Sequence, residues 1–202
     1  MPETLGVGII LGSDKQTIKA CIESVALADQ IVVCMQSDSD AETREQVKQA
    51  QANVQVEEFG KWVDDFSAKR NYCFSFLKTD WILWIDADDI VFQAENLRKL
   101  IAESPPDLGA IWFPYHYAID EWGNPFTIYE RERLLRAKFN WIWRNRVHET
   151  TQPLVPCKYA RSQDVIIRHN HTAGPPRGDR NMHLLNLMYK EDPDDKRIWL
   201  YL

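Results

Sequence analysis

Trp81-Ile82-Leu83-Trp84-Ile85 is an uninterrupted apolar run of strand length, and it ends on the carboxylates Asp86, Asp88 and Asp89. A strand that is apolar at every position is buried on both faces, which occurs where helices cover both sides of a parallel sheet. The residues before it supply the elements such a sheet needs. Leu5–Leu11 (LGVGIIL) reads as a first strand, 31–35 as a second and 54–56 as a third. Helical patterns over 15–28, 41–52 and 64–77 separate them, the first capped by Ser13-Asp14 and the second opened by Ser37-Asp38-Ser39-Asp40. Strands alternating with helices predict an α/β fold with a mainly parallel, Rossmann-like sheet.

The character changes after a further helix predicted over 93–102, which Ser104-Pro105-Pro106 stops. Residues 110–117 are aromatic and strand-like, Glu121-Trp122-Gly123-Asn124-Pro125 is a turn signal, short strands continue through Leu134-Leu135, and Val165-Ile166-Ile167 is the last. Residues 180–190 have helical spacing at Met182, Leu185 and Met188. The expected organisation is one domain over 1–202. It has a nucleotide-binding half over about 1–103 and a more irregular, mixed-sheet, acceptor-side half over about 104–202.

In open α/β sheets ligands bind beyond the carboxyl ends of the strands, where Asp86, Asp88 and Asp89 fall. Three carboxylates there repel one another and gain nothing from the core, so a divalent cation would relieve them. Hard oxygen ligands suit Mg²⁺ or Mn²⁺, and Mg²⁺ often completes its shell with substrate phosphates. The plainer reading is a solvated turn capping the next helix. His169 and His171, two apart, share a face if extended and could serve one ligand. The basic run Arg131, Arg133, Arg136, Lys138, Arg144 and Arg146 could receive an anion, although a solvated face is the usual explanation of such a run. Trp141 and Trp143 point the same way if extended, and fit core or interface better than sugar stacking.

Four segments in this order, GKWVDDFSAKRN at 60–71, DWILWIDADD at 80–89, RNRVHET at 144–150 and RHNHTAGPPRGDRNMHLL at 168–185, resemble family 2 glycosyltransferases with the GT-A fold. The resemblance covers roughly residues 5 to 190 and is nearest the bacterial branch with a D-x-D-[DE] motif. It implies that Asp86 and Asp88 form the D-x-D motif, Asp88 touching the metal and Asp86 the donor ribose or the metal's waters. It implies that Arg70 and Asn71 lie beside the nucleotide, that Glu149 is the general base, and that His171 or His169 is a metal ligand, with a slight preference for His171. It implies that Arg177 and Arg180 hold the diphosphate. The activity implied is an inverting, metal-dependent transfer from a nucleotide-sugar, UDP-sugar by default, to a carbohydrate, lipid-linked or protein acceptor. Two departures bear on the nucleotide. Met35 stands where the family commonly has Asp, and Ser13-Asp14 replaces a typical Asn-Glu pair.

Rival classes are a nucleotidyltransferase and a non-catalytic binding or scaffold domain. Against the first, LGSDKQT after the first strand is too poor in glycine for a phosphate-cradling loop. Met35 and the short C-terminus motivate the second. Hydrophobic residues at 45% and charged residues at 27% argue against disorder, and a formal net charge of −6 argues against general nucleic-acid binding. The four scattered cysteines lack C-x-x-C spacing, so a zinc site is not expected and the compartment reads as reducing. No run approaches the ~18 apolar residues of a membrane helix, so a cytoplasmic location is expected. The aromatic residues and the apolar Trp199-Leu200-Tyr201-Leu202 segment suggest a homo-oligomer surface.

Overall fold

The computed structural model describes residues 1–12, 16–170 and 178–201. Along its first half run β1 (Leu5–Leu11), α1 (Ile18–Ser24), β2 (Gln30–Met35), α2 (Ala41–Gln49), β3 (Val54–Glu58), α3 (Phe66–Ser75) and β4 (Trp81–Asp86). Two of the helix starts have clear local causes. The carboxylate of Asp40 accepts from the Thr43 amide at 2.7 Å and that of Asp65 from the Ala68 amide at 2.9 Å, each satisfying an amide that has no partner within its helix. α1 starts at Ile18, three residues later than its spacing suggests. The capping pair expected for it, Ser13-Asp14, lies outside the described residues.

Strands β3, β2, β1 and β4 are neighbours in that order, all parallel. The order runs outward from β1 to β3 and then reverses, placing β4 on the free side of β1. Ile10 pairs with Asp86 across this junction, so the carboxyl ends of β1 and β4 meet at a topological switch point, where open α/β sheets bind ligands. All five residues of 81–85 are at most 5% exposed. Each aliphatic side chain buried there contributes about 1.5–3 kcal/mol, which fixes the strand end that carries Asp86. Gly8 lets α3 approach β1 closely, since a Cβ there would lie 3.2 Å from Leu77 and 3.3 Å from the Cys73 sulfur.

Beyond β4 come β5 (Asp89–Phe92), α4 (Asn96–Glu103), β6 (Leu108–Ile119), β7 (Pro125–Arg136), β8 (Trp141–Arg144), β9 (Thr150–Pro153), β10 (Lys158–Arg161), β11 (Ile166–His169) and α5 (Gly178–Glu191). The sheet continues through them. β7 runs antiparallel to β4, and β6 antiparallel to β7. β10 and β11 lie parallel to successive stretches of β6. β5 closes the edge antiparallel to β11, and β8 and β9 form a separate two-stranded ribbon. This is the mainly parallel half plus mixed half that the sequence predicts. β5 is an addition. It leaves the stretch assigned to the first half to pair with β11, and Gln93, at φ 58°, delays α4 to Asn96. No helix among the described residues is long and apolar enough to cross a membrane.

The basic run after residue 130 is solvated only in part: Lys138 and Arg144 are exposed, but two of its arginines are not. Arg133 is 1% exposed and Arg136 is buried. Arg136 is held by Glu3 at 2.7 Å and by the Pro105 carbonyl, and its guanidinium lies over Trp81. Cys21, Cys34 and Cys73 are buried small side chains, and all four cysteines are free thiols.

Candidate functional site

Two groups of polar side chains sit at the end of β4. In the first, Arg70 from α3 donates from Nη2 to Asp86 Oδ1 at 2.6 Å and from Nε to Glu149 Oε1 at 2.7 Å. Its guanidinium packs against the indoles of Trp84 and Trp143, 4.7 and 4.9 Å from their centroids. One buried cation thus joins the first carboxylate of the D-x-D motif to the candidate base, 63 residues further along the chain. The partner of Glu149 is Arg70 and neither Arg144 nor Arg146, the pairings its sequence neighbours suggest. Burial raises the Asp86 carboxyl, but Arg70 and then Arg133 outweigh it and hold the group well below the usual carboxylate range. Glu149 Oε2 has no partner among the described residues.

Glu149 owes its position to a constrained turn. Between β8 and β9, Asn145 and His148 adopt φ of 75° and 51°. Asn tolerates that left-handed region, whereas for His148 it costs about 1–3 kcal/mol. The His148 ring stacks on Tyr201 at 3.9 Å, and its carbonyl accepts from Arg197. The Phe66 amide opens α3 by donating to the Arg146 carbonyl at 2.9 Å, which ties the turn to the helix that carries Arg70. Burial lowers the His148 imidazole against the opposing effect of Glu149.

The second group is Asp88, Asp89 and His169, whose candidate ligand atoms all lie within 4.8 Å of one another. β11 delivers His169 opposite Asp89 in the β5 ladder, and the Asn170 amide donates to the Asp88 carbonyl. His169 Nδ1 is 3.5 Å from Asp88 Oδ1 and 3.6 Å from Asp89 Oδ1, and the ring stacks on Tyr117 at 5.3 Å. Burial disfavours the charged imidazole, but contacts with Asp88 and Asp89 prevail and push it up to about 10. Burial, with Asp86 and Asp89 nearby, raises the Asp88 carboxyl against the pull of His169.

Asp89 departs from the expectation that all three carboxylates stand clear of the core. It is 0% exposed. It accepts from the Tyr115 hydroxyl at 2.9 Å and from the Asp86 amide at 3.0 Å, and it pairs with Arg133 at 3.3 Å. Its role is to lock the turn that presents Asp86 and Asp88. Removing one partner of a buried pair leaves an uncompensated charge and costs about 3–5 kcal/mol. Asp89→Ala is therefore expected to lower the urea midpoint sharply. An unchanged midpoint would show that the pair does not hold the turn.

The other predicted residues divide. The Asn71 amide donates to the Trp143 carbonyl at 3.0 Å and accepts from the Trp143 amide at 2.8 Å, so its visible part is to hold β8 against α3. Arg180 lies in the first turn of α5 with its guanidinium 4.9 Å from the Phe66 ring centroid. His171 and Arg177 lie outside the described residues. Trp143 is buried against Trp84 and Phe74, while Trp141 is half-buried beside Tyr159. Met35 is buried, and Arg44 Nη1 approaches its sulfur at 3.7 Å. Sequence reasoning did not single out Tyr115, Tyr117 or Tyr201. The alternation of Tyr115 and Tyr117 within an aromatic strand was a signal for the first two, whereas Tyr201 carried none.

The family model described as Glycosyl transferase family 2 matches residues 9–154. The glycosyltransferase SunS of Bacillus phage SPbeta and the SPbeta prophage-derived SunS of Bacillus subtilis (strain 168) are each 25% identical to the chain over 214 residues, covering 98% of it and 48% of the relative. The chain spans about half the length of these curated relatives. Among solved structures, S. aureus TarS 1-349 in complex with UDP-GlcNAc aligns with a TM-score of 0.63 at 13% identity, covering 93% of this chain and 66% of that one. A second S. aureus TarS structure gives 0.60 at 11% identity, covering 93% and 39%. With the family model matching well over half of its length, and with a curled mixed sheet matching GT-A structures, the chain belongs to glycosyl transferase family 2 and has the GT-A fold.

Proposed function

We propose that the protein transfers a sugar, with inversion, from a nucleoside-diphosphate sugar to an acceptor hydroxyl, with the help of a divalent metal. The observation that carries this reading is the pairing of two groups at one switch point: Glu149 linked through Arg70 to Asp86, and Asp88 beside His169. A donor set of one carboxylate and one imidazole, each only slightly exposed, fits Mn²⁺ or Mg²⁺ bound together with phosphate oxygens. Asp88 and His169 would hold the ion, with His171 an alternative to His169, while Asp89 is already committed to Arg133 and Tyr115. When bound, the ion would offset charge on the departing nucleoside diphosphate.

The chain's own residues supply the rest. Arg70 fixes Glu149 through Oε1 and leaves Oε2 to accept the proton of the acceptor hydroxyl as it attacks the anomeric carbon. Asp86, held ionised by Arg70, would take the donor ribose or the metal's waters. Arg177 and Arg180 would steady the diphosphate. UDP-sugars are the first donors to test, since the neighbour TarS was solved with UDP-GlcNAc. The acceptor is a carbohydrate, a lipid-linked sugar or a protein, and a cytoplasmic, homo-oligomeric enzyme is part of the same proposal.

A ligand that binds only the folded state raises the melting temperature by mass action, about 2.7 kcal/mol of stabilisation at a hundred times Kd. UDP-, GDP-, CDP- and TDP-sugars, each with and without Mn²⁺, are expected to give one nucleotide whose sugar shifts the transition by several degrees and does so only with metal. No shift with any of the four would overturn the reading.

A further inference from the structure

Three guanidiniums crowd one buried indole. Those of Arg70, Arg131 and Arg133 lie 4.7, 5.2 and 3.9 Å from the centroid of Trp84. Two of them are paired with carboxylates. Arg70 binds Asp86 and Glu149, and Arg133 pairs with Asp89 while donating to the Trp84 carbonyl at 3.3 Å. Arg131, on β7, differs. Its nearest carboxylate is Glu132 at 3.7 Å, too long for a hydrogen bond. Among the described residues it donates no hydrogen bond, although a guanidinium carries five N–H donors. About a third of its side chain (35%) is exposed, so it is open to solvent on one side.

The surroundings of Arg131 are those of a cation awaiting an anion. It acts on the Asp86 carboxylate, and Glu149 acts on it, so it lies within electrostatic reach of both. Burial and the like charge of Arg133 bear against its protonated form more than Glu132 relieves it. The Trp84 face restrains the guanidinium plane at little cost, because Arg stacks on aromatic rings. A planar, restrained fork with idle donors suits two oxygens of one tetrahedral group, the geometry of bidentate Arg–phosphate contacts.

Resting on the donor reading above, we propose that Arg131 is a phosphate-binding residue, which takes oxygens of the donor's diphosphate from the β7 side of the cleft. Neither the sequence motifs nor the family resemblance assigns it this part. The same chemistry could serve a phosphate on the acceptor, and the probes below separate the two sources.

The test is calorimetric titration, in the presence of Mg²⁺, of UDP, uridine and inorganic pyrophosphate into the wild-type chain, Arg131→Met and Arg131→Lys. GDP, CDP or TDP and its nucleoside replace the first pair if the donor screen selects them. Met keeps an apolar stem over Trp84 and Lys keeps the charge without the fork. A charged hydrogen-bonded contact is worth about 10- to 100-fold in affinity. UDP and pyrophosphate are expected to weaken by that factor in the Met variant and by a smaller one in the Lys variant, with uridine unchanged in both. Should the Met variant fail to melt cooperatively, the Lys variant decides alone. Equal UDP and pyrophosphate affinity in folded variants and wild type overturns the assignment to the donor and leaves the donor reading standing. Pyrophosphate binding that depends on Arg131, with no nucleoside diphosphate bound by the wild type, overturns the donor reading and moves this site to an acceptor phosphate. Binding of neither probe by the wild type overturns both.

Discussion

Asp88→Ala is expected to abolish Mn²⁺-dependent binding of the donor while leaving the chain folded. Loss even of groups that only orient a ligand typically costs 10- to 100-fold in metal affinity, so loss of a direct ligand should cost at least about 10²-fold. Folding should tolerate the change for local reasons. Burial, with Asp86 and Asp89 nearby, raises the Asp88 carboxyl against the pull of His169, so what the charge gains from His169 is more than offset. The contact that draws β11 in, from the Asn170 amide to the Asp88 carbonyl, is made by the main chain and survives in alanine. The contrast with Asp89→Ala, one residue away, is the useful part of the experiment. The Asp88 variant should melt near wild type and fail to bind metal. The Asp89 variant should lose stability first. Titration of Mn²⁺ by calorimetry, alongside thermal melts of both variants, reads the two effects separately. Normal metal-dependent donor binding by the Asp88 variant would show that Asp88 does not hold the ion. Asp86→Ala should also weaken donor binding, and it releases one of the two carboxylates that compensate Arg70.

The difference between the two aspartates also marks where the sequence stops being informative. An apolar run ending in carboxylates identifies β4 and puts acidic groups at its carboxyl end, because a strand buried on both faces can lie only in the middle of a covered sheet. It does not tell which carboxylate turns inward. Asp89 does so because Arg133 and Tyr115 come from strands about 44 and 26 residues away in sequence, and pairing at that distance leaves no local trace. The Arg70 bridge is hidden in the same way. Arg70 lies four residues after Phe66 and three before Cys73, on the same face of α3, and β8 and the turn before Glu149 cover it, but its partner Glu149 is 79 residues away. The basic residues of β7 suggest a solvated face for the same reason: nothing near Arg133 and Arg136 in sequence points to Asp89 and Glu3, the carboxylates that pair with them. β5 was missed although Asp89-Ile90-Val91-Phe92 buries alternate residues, since the acidic run suggested a loop. By contrast, a histidine beside Asp88 is what the family resemblance implies, with a slight preference for His171, which lies outside the described residues; His169 is the one found there, at 3.5 Å.

Glu149→Gln is expected to reduce turnover by about 10²–10⁴, the usual contribution of a general base, with donor affinity little changed. Gln keeps the volume and can still accept from Arg70 Nε through its amide oxygen, so the turn containing His148 should stay in place. Arg70 also remains compensated by Asp86, at 2.6 Å, which keeps the loss of one charge from becoming an unpaired buried cation. The fall should therefore appear in kcat and not in the binding of the nucleoside diphosphate. That split separates a base from a residue that merely props up Arg70, whose loss would weaken donor binding through Asp86 as well. If the Gln variant turns over near wild-type rate, the proton goes elsewhere, and neither Asp120 nor Asp164 is well placed to take it. Asp120 is occupied by the amides of Trp122 and Asn124 in the tip of the β6–β7 hairpin, and Asp164 accepts from Ser162 in an exposed turn.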